Sequence, residues 1–143
     1  MVIGIDVGGT KTKAVLFDED GNVVKEVVTG SAHPLNADDE KIIKRLQECF
    51  IDESSPVVFG YAGYGKNAIM KQHIHDLVAS VCKDRKYVLL NDIEMAMLST
   101  LGNEDGICVI LGTGSIALKR KGSLLERRGG WGYVLGDEGS GYA

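Results

Sequence analysis

The alternation of apolar and polar positions predicts short strands and three amphipathic helices along the chain. Three apolar runs, separated by turns rich in glycine, aspartate and asparagine, predict antiparallel strands over residues 2–6, 12–17 and 23–29. Further strands are predicted over residues 57–59 and 87–90. Helices are predicted from an Asn36 cap through an apolar face that ends at Phe50, over residues 66–83, and over residues 93–101. Asn91 and Glu94 have the spacing of a capping box for the last helix.

The same opening pattern begins again after the glycine-containing segment 102–106. Strands are predicted over residues 107–111, 116–119 and 124–127, with a turn at residues 121–123. The chain is therefore expected to hold one complete α/β domain over residues 1–102. The first strands of a second, truncated copy would follow over residues 106–143.

Composition limits the classes of function. The chain has 143 residues, is 44% hydrophobic and carries a net charge of −4, which is typical of a globular protein and offers no basic surface for nucleic acid. No apolar run is long enough to span a membrane, and because the sequence opens directly on an apolar strand, we expect no secretory signal. The three cysteines are widely spaced and are expected to be buried thiols in a reducing, cytoplasmic setting.

A turn of glycines and a hydroxyl residue occurs twice, about 100 residues apart and each time between two strands. Such turns can simply close a hairpin, but their amides can also hold a phosphate. The two turns consist of Gly8, Gly9, Thr10 and Lys11 in the first copy, and Gly112, Thr113, Gly114 and Ser115 in the second. Their recurrence in the same context favours two phosphate sites.

Two aspartates lie at the ends of predicted strands. Asp6 ends an otherwise apolar strand beside the first turn, where a carboxylate is costly without a partner, and Mg²⁺ bound partly through water is the natural one. Asp92 follows the strand 87–90 and opens a helix, where a carboxylate is also favoured for structural reasons. Only the two candidate phosphate sites make Asp92 a candidate general base as well.

The segment 129–142 has six glycines in fourteen residues, together with Trp131 and two tyrosines. It can be a packed loop, or a loop that lines a ligand site and in which Asp137 accepts hydrogen bonds from substrate hydroxyls.

Together these residues resemble the superfamily of ATPases that includes sugar kinases, actin and the Hsp70 chaperones. They are most similar to its N-acetylglucosamine kinase and BadF/BadG/BcrA/BcrD group. The resemblance rests on residues 3–16, on residues 110–115 and on the Gly-Trp-Gly and Gly-Asp-Glu-Gly-Ser sequences within residues 129–142. It implies a ribonuclease H-like, actin-like ATPase fold with ATP and Mg²⁺ in a cleft between two copies.

The resemblance also implies residue roles. Asp6 would organise Mg²⁺ and Asp92 would be the catalytic base. Phosphate contacts are expected from Gly8, Gly9, Thr10, Lys11, Gly112, Thr113, Gly114 and Ser115. Sugar contacts are expected from His33, Asp92, Gly130, Trp131, Gly132 and Asp137.

The chain departs from the family in two respects. His33 occupies the position where the family usually has a sugar-binding asparagine, so the hexosamine assignment depends on an imidazole. The adenosine-binding half of the second domain would lie beyond Ala143, so the chain is expected to be a fragment.

Three functions stay open from the sequence. The first is an ATP-dependent kinase of an amino sugar or hexose, cytoplasmic and possibly a homodimer. The second is an ATPase activator of the acyl-CoA dehydratase or benzoyl-CoA reductase type, suggested by the Gly-Tyr-Gly-Lys sequence at residues 63–66. The third is a non-catalytic half-molecule that binds sugar or self-associates.

Overall fold

A computed structural model describes residues 1–65, 67–111, 115–130 and 139–141. Its elements divide into two compact units, Met1–Met95 and Ala96–Ala143. The elements in chain order are β1 Val2–Val7, β2 Lys11–Phe17, β3 Val23–Gly30, α1 Asp39–Glu48, β4 Val57–Tyr61, α2 Ala68–Cys82, β5 Tyr87–Asn91, α3 Asp92–Leu101, β6 Gly106–Leu111, β7 Ser115–Lys121 and β8 Leu124–Gly129.

The first unit contains a five-stranded mixed sheet with strand order β3-β2-β1-β4-β5. The predicted antiparallel opening is confirmed, because β2 pairs antiparallel with both β1 and β3. β1, β4 and β5 run parallel to one another, so their carboxyl ends meet at one edge of the sheet. The candidate functional residues of the first unit lie at that edge.

The core of the first unit lies on the face of the sheet that α1 and α2 cover. Ile3, Ile5 and Val7 alternate onto this face from β1 and are fully buried, and Ile42 from α1 and Ile74 from α2 pack in the same cluster. The period-two alternation of β1 sends Gly4 and Asp6 to the opposite face. The strand therefore supplies the core on one side and a carboxylate on the other.

The helix caps confirm one prediction and correct another. Asn91 Oδ1 accepts from the Glu94 amide at 2.6 Å while Glu94 Oε2 accepts from the Asn91 amide at 3.1 Å, which is the predicted capping box. The cap of α1 is Asp38, whose side chain accepts from the Lys41 amide, and the assignment of that role to Asn36 was wrong. Aspartate and asparagine cap equally well, so the pattern could not separate them.

The second unit contains the three-stranded antiparallel sheet β6-β7-β8. Cys108, Ile116 and Leu118 are buried on one face of this sheet. All three cysteines of the chain are buried free thiols, as predicted. Within the described ranges, no helix is both long enough and apolar enough to cross a membrane.

Candidate active site at the carboxyl edge of the first sheet

Asp6 lies near the carboxyl end of β1 and faces away from the core. The register aligns Asp6 with Gly60 of β4 and Gly60 with Leu90 of β5. Asp92 follows two residues after Leu90, in the first turn of α3. The parallel strands therefore bring the two aspartates, which lie 86 positions apart in the sequence, to the same edge.

The charge of Asp92 acts on Asp6 across this edge of the sheet. Partial burial raises the pKa of Asp6, the negative charge of Asp92 raises it further, and the Lys11 ammonium opposes both effects. The side chain still reaches solvent. A carboxylate under these conditions gains free energy from a divalent cation, which restores ligands and neutralises repulsion.

The position of Asp92 suits both a structural role and a catalytic one. Its Oδ1 accepts from the Ile93 amide at 3.0 Å, within the first turn of α3, where a carboxylate complements the helix dipole. The same residue lies at the sheet edge that carries Asp6, and its charge raises the pKa of Asp6. The structural interpretation of Asp92 and its role as a candidate base are therefore compatible.

The first glycine turn connects β1 to β2 at this edge. The Gly8 amide donates to the Lys11 carbonyl at 3.0 Å, which closes the turn. Thr10 and Lys11 are exposed, and so is Gly9. The turn can thus present its amides and one cation to an anion from solvent.

Residues 31–36 pack directly against the glycine turn. Ser31 Oγ donates to the Gly8 carbonyl at 2.8 Å, and Asn36 Nδ2 donates to the Gly9 carbonyl at 2.6 Å. The buried Thr12 hydroxyl accepts from the Ala32 amide at 2.9 Å. Sequence reasoning did not find these contacts, since single small polar residues give no periodic signal.

His33 is held within the same segment and is only 8% exposed. Its Nδ1 accepts from the Leu35 amide at 3.1 Å, which leaves the proton of the neutral ring on Nε2. Nε2 lies against Gly63, where a Cβ would approach it to 3.0 Å. His33 therefore joins the loop after β3 to the loop after β4, at the edge that carries Asp6 and Asp92.

Arg45 supports this segment from α1. Its Nη1 donates to the Ser31 carbonyl, and a Cβ on Gly30 would lie 2.9 Å from the guanidinium carbon. Because Gly30 has no side chain, it leaves room for the Arg45 guanidinium. α1 therefore contributes to the core and also anchors residues 31–36, the loop that contacts the glycine turn.

The remaining predicted residues lie in the second unit or outside the residues that the structure describes. Ser115 begins β7 and Gly130 follows β8, both in the second unit. Lys66, Gly112, Thr113, Gly114, Trp131, Gly132 and Asp137 lie outside the described residues. Among the residues that are described, no three acidic, histidine or cysteine side chains cluster as a closed metal site. Mg²⁺ needs no such cluster, because one or two carboxylates with phosphate and water suffice.

Gly60 gives a prediction about how Asp92 is positioned. A Cβ at residue 60 would overlap Met95 Sδ and lie 3.2 Å from Met95 Cβ, so Gly60→Ala should displace the Met95 side chain and disturb the packing of the first turns of α3. We expect urea denaturation to show a loss of about 1–3 kcal/mol in the free energy of unfolding. Gly4→Ala is the matched control, since its Cβ would meet only Phe17 at an ordinary 3.5 Å. Equal stability of the two variants would contradict this packing.

Comparisons with known proteins agree with this architecture. The chain is 36% identical to the N-acetylmuramic acid/N-acetylglucosamine kinase of Clostridium acetobutylicum, and the match covers 99% of this chain and 49% of that protein. It is 32% identical to the N-acetyl-D-glucosamine kinase of Dictyostelium discoideum, with 98% and 50% covered. The crystal structure of a putative N-acetylglucosamine kinase from Porphyromonas gingivalis superposes with a TM-score of 0.78 at 25% identity, over 98% of this chain and 52% of that one. The chain thus spans about half the length of the curated relatives it matches.

These matches and the mixed sheet place the fold in the ribonuclease H-like class shared by sugar kinases and actin-like ATPases. Within that class the chain belongs to the BadF/BadG/BcrA/BcrD ATPase family, which matches residues 3–143. The family resemblance inferred from the sequence is confirmed.

Proposed function

We propose that the whole protein transfers the γ-phosphate of ATP to a hydroxyl of an amino sugar such as N-acetylglucosamine or N-acetylmuramic acid. The observation that carries this proposal is the gathering of Asp6, Asp92 and the glycine turn at one sheet edge. The kinase names of both curated relatives support the substrate class.

In the proposed reaction Asp92 accepts the proton of the attacking sugar hydroxyl. The hydroxyl oxygen forms a bond to the γ-phosphorus as the bond from that phosphorus to the β,γ-bridging oxygen breaks, and ADP leaves. Asp6 would hold Mg²⁺, which supplies charge neutralisation at the phosphates. The amides of Gly9 and Thr10 and the Lys11 ammonium would orient the same phosphates.

The second unit would carry further phosphate- and sugar-binding residues. Both units contain a three-stranded antiparallel meander, and in each the sequence between the first two strands consists of glycines and a hydroxyl residue. This similarity supports the interpretation of residues 106–143 as the opening of a second copy after a first domain over residues 1–102. Thr113 and its neighbours would then contact phosphate, and Trp131 and Asp137 would contact sugar.

The test is a transfer assay on the whole protein with ATP, Mg²⁺ and N-acetylglucosamine, N-acetylmuramic acid or glucose in parallel. We expect an amino-sugar phosphate, identified by mass spectrometry, in a one-to-one ratio with ADP. ATP hydrolysis with no phosphorylated sugar in any arm would contradict the proposal.

The activator function is the second candidate, since the family name covers ATPases of that group. Activators need cysteine thiolates to hold an iron–sulfur cluster. Burial raises the pKa of Cys49 to about 12 and that of Cys82 to about 11, which disfavours the thiolate form. An iron and sulfide assay after reconstitution is expected to find no stoichiometric cluster; finding one would favour the activator.

His33 is the proposed sugar contact that differs from the family pattern. We expect His33→Ala to raise the KM for the sugar about tenfold while the KM for ATP changes less than twofold, because one directed hydrogen bond to substrate is lost. His33→Asn keeps an acceptor for the Leu35 amide and a donor group, so its sugar KM should rise less. Equal KM values for the wild type and His33→Ala, in steady-state kinetics with varied sugar, would remove His33 from the site.

A further inference from the structure

In the first glycine turn, the carbonyls of the two glycines point toward residues 31–36. The Gly8 carbonyl accepts from Ser31 Oγ and the Gly9 carbonyl accepts from Asn36 Nδ2. Ser31 is itself 6% exposed and fixed, since the His33 amide donates to its hydroxyl at 3.2 Å and Arg45 contacts its carbonyl. The two donors therefore come from a segment that is anchored to α1.

These hydrogen bonds determine where the turn's amides point. The described part of the chain contains only trans peptide bonds, in which the carbonyl of one residue and the N–H of the next point in opposite directions. With the Gly8 carbonyl held by Ser31, the Gly9 N–H must face away from residues 31–36. With the Gly9 carbonyl held by Asn36, the Thr10 N–H must face the same way.

Glycine backbones do not hold such an orientation by themselves. Gly8 and Gly9 populate a wide range of dihedral angles, so an unsupported Gly-Gly turn would sample flipped peptides and would lose conformational entropy on binding an anion. A flipped peptide would present a carbonyl oxygen to phosphate in place of an amide. The side-chain donors remove that alternative before the ligand arrives.

We propose that Asn36, assisted by Ser31, is a positioning residue that pre-orients the Gly9 and Thr10 amides toward phosphate. Asn36 is the more informative of the two, because it is exposed and contributes no core packing. This inference rests on the proposed role of the turn as an ATP phosphate site. It also links the loop that carries His33 physically to the phosphate turn.

The test is Asn36→Asp in the whole protein, with AMPPNP and Mg²⁺ as the probe. Aspartate has the same shape but its carboxylate cannot donate to the Gly9 carbonyl. We expect calorimetry to show AMPPNP affinity about five- to twentyfold weaker and, if transfer is observed, the ATP KM to rise by a similar factor with a smaller change in kcat. The NMR amide shifts of Gly9 and Thr10 in the unliganded protein should move as well.

Three further variants separate positioning from folding and from charge. Asn36→Ala removes the donor without adding a charge and is expected to weaken AMPPNP binding in the same direction, whereas Asn103→Asp makes the charge change in the exposed turn after α3 and is expected to leave AMPPNP affinity unchanged. Ser31→Ala is expected to weaken AMPPNP binding in the same direction; because Ser31 is buried, thermal unfolding is followed alongside.

The outcomes for the positioning role and for the kinase proposal are distinct. AMPPNP affinity equal to wild type in Asn36→Asp, or unmoved amide shifts, would overturn the positioning role. A protein that binds AMPPNP normally but phosphorylates no sugar would overturn the kinase proposal alone. Failure of the wild type to bind AMPPNP would overturn the phosphate role of the turn and the positioning role with it.

Discussion

Asp92→Asn is expected to lower the rate of phosphate transfer by about 10²- to 10⁴-fold, because the amide cannot accept the proton of the sugar hydroxyl. The effect should appear in kcat, with AMPPNP affinity within about twofold of wild type. Asparagine is also suited to the first turn of α3, so the fold should persist. Steady-state kinetics and calorimetry on the whole protein measure both quantities.

The matched control is Asp84→Asn, an exposed carboxylate in the turn before β5, at the other end of the strand that leads to Asp92. It should leave kcat unchanged. Wild-type turnover in Asp92→Asn would remove Asp92 from the role of base. The variant should also lower the pKa of Asp6, since it removes a negative neighbour.

Asp6→Asn is expected to abolish Mg²⁺-dependent transfer and at the same time to raise the melting temperature of the unliganded protein by about 1–4 °C. The folded protein raises the pKa of Asp6, so the folded state holds that proton more tightly than the unfolded state does. The resulting stabilisation is present below the ordinary carboxyl pKa and is lost as pH rises through the raised pKa. At neutral pH the ionised carboxylate therefore destabilises the apo protein, and a neutral amide relieves this.

Loss of activity together with a gain in thermal stability would distinguish a functional carboxylate from a structural one, because replacing a structural carboxylate lowers stability. Calorimetric melting and a Mg²⁺ titration of activity provide the measurements, and Asp20→Asn in the exposed β2–β3 turn is the control. Lower melting temperature in Asp6→Asn would show that the carboxylate stabilises the fold.

The raised pKa of Asp6 also predicts how Mg²⁺ binding by the wild type depends on pH. As the pH is lowered, Mg²⁺ affinity should begin to fall at a higher pH than it would with an ordinary aspartate, because the protonated carboxyl does not bind the cation.

Much of the first unit could be predicted because its signals are local. Alternating apolar residues identified β1 to β3, and helical spacing identified α1 through Ile42 and Leu46. The capping box at Asn91 and Glu94 was correct in detail, since both hydrogen bonds lie within one turn. The Asn36 cap was wrong because α1 begins only at Asp39, where Asp38 caps it, and Asn36 instead donates to the Gly9 carbonyl, 27 residues away in the sequence.

The candidate site was predictable in its parts but not in its arrangement. Asp6 and Asp92 stood out as carboxylates at strand ends. The effect of Asp92 on the pKa of Asp6 depends on the strand order, in which only β4 lies between β1 and β5. No local pattern encodes that strand order.

The periodic elements, the first glycine turn and the family could be inferred from local patterns, because each is encoded in neighbouring residues or in a recognisable motif. Which carboxylates share a sheet edge, and which donors hold the first turn, depends on the folded chain. Sheet register and loop packing bring together residues that are far apart in the sequence. Ser31 and Asn36 are ordinary polar residues in the sequence, and they direct the amides of a glycine turn only because β3 and α1 place them beside it.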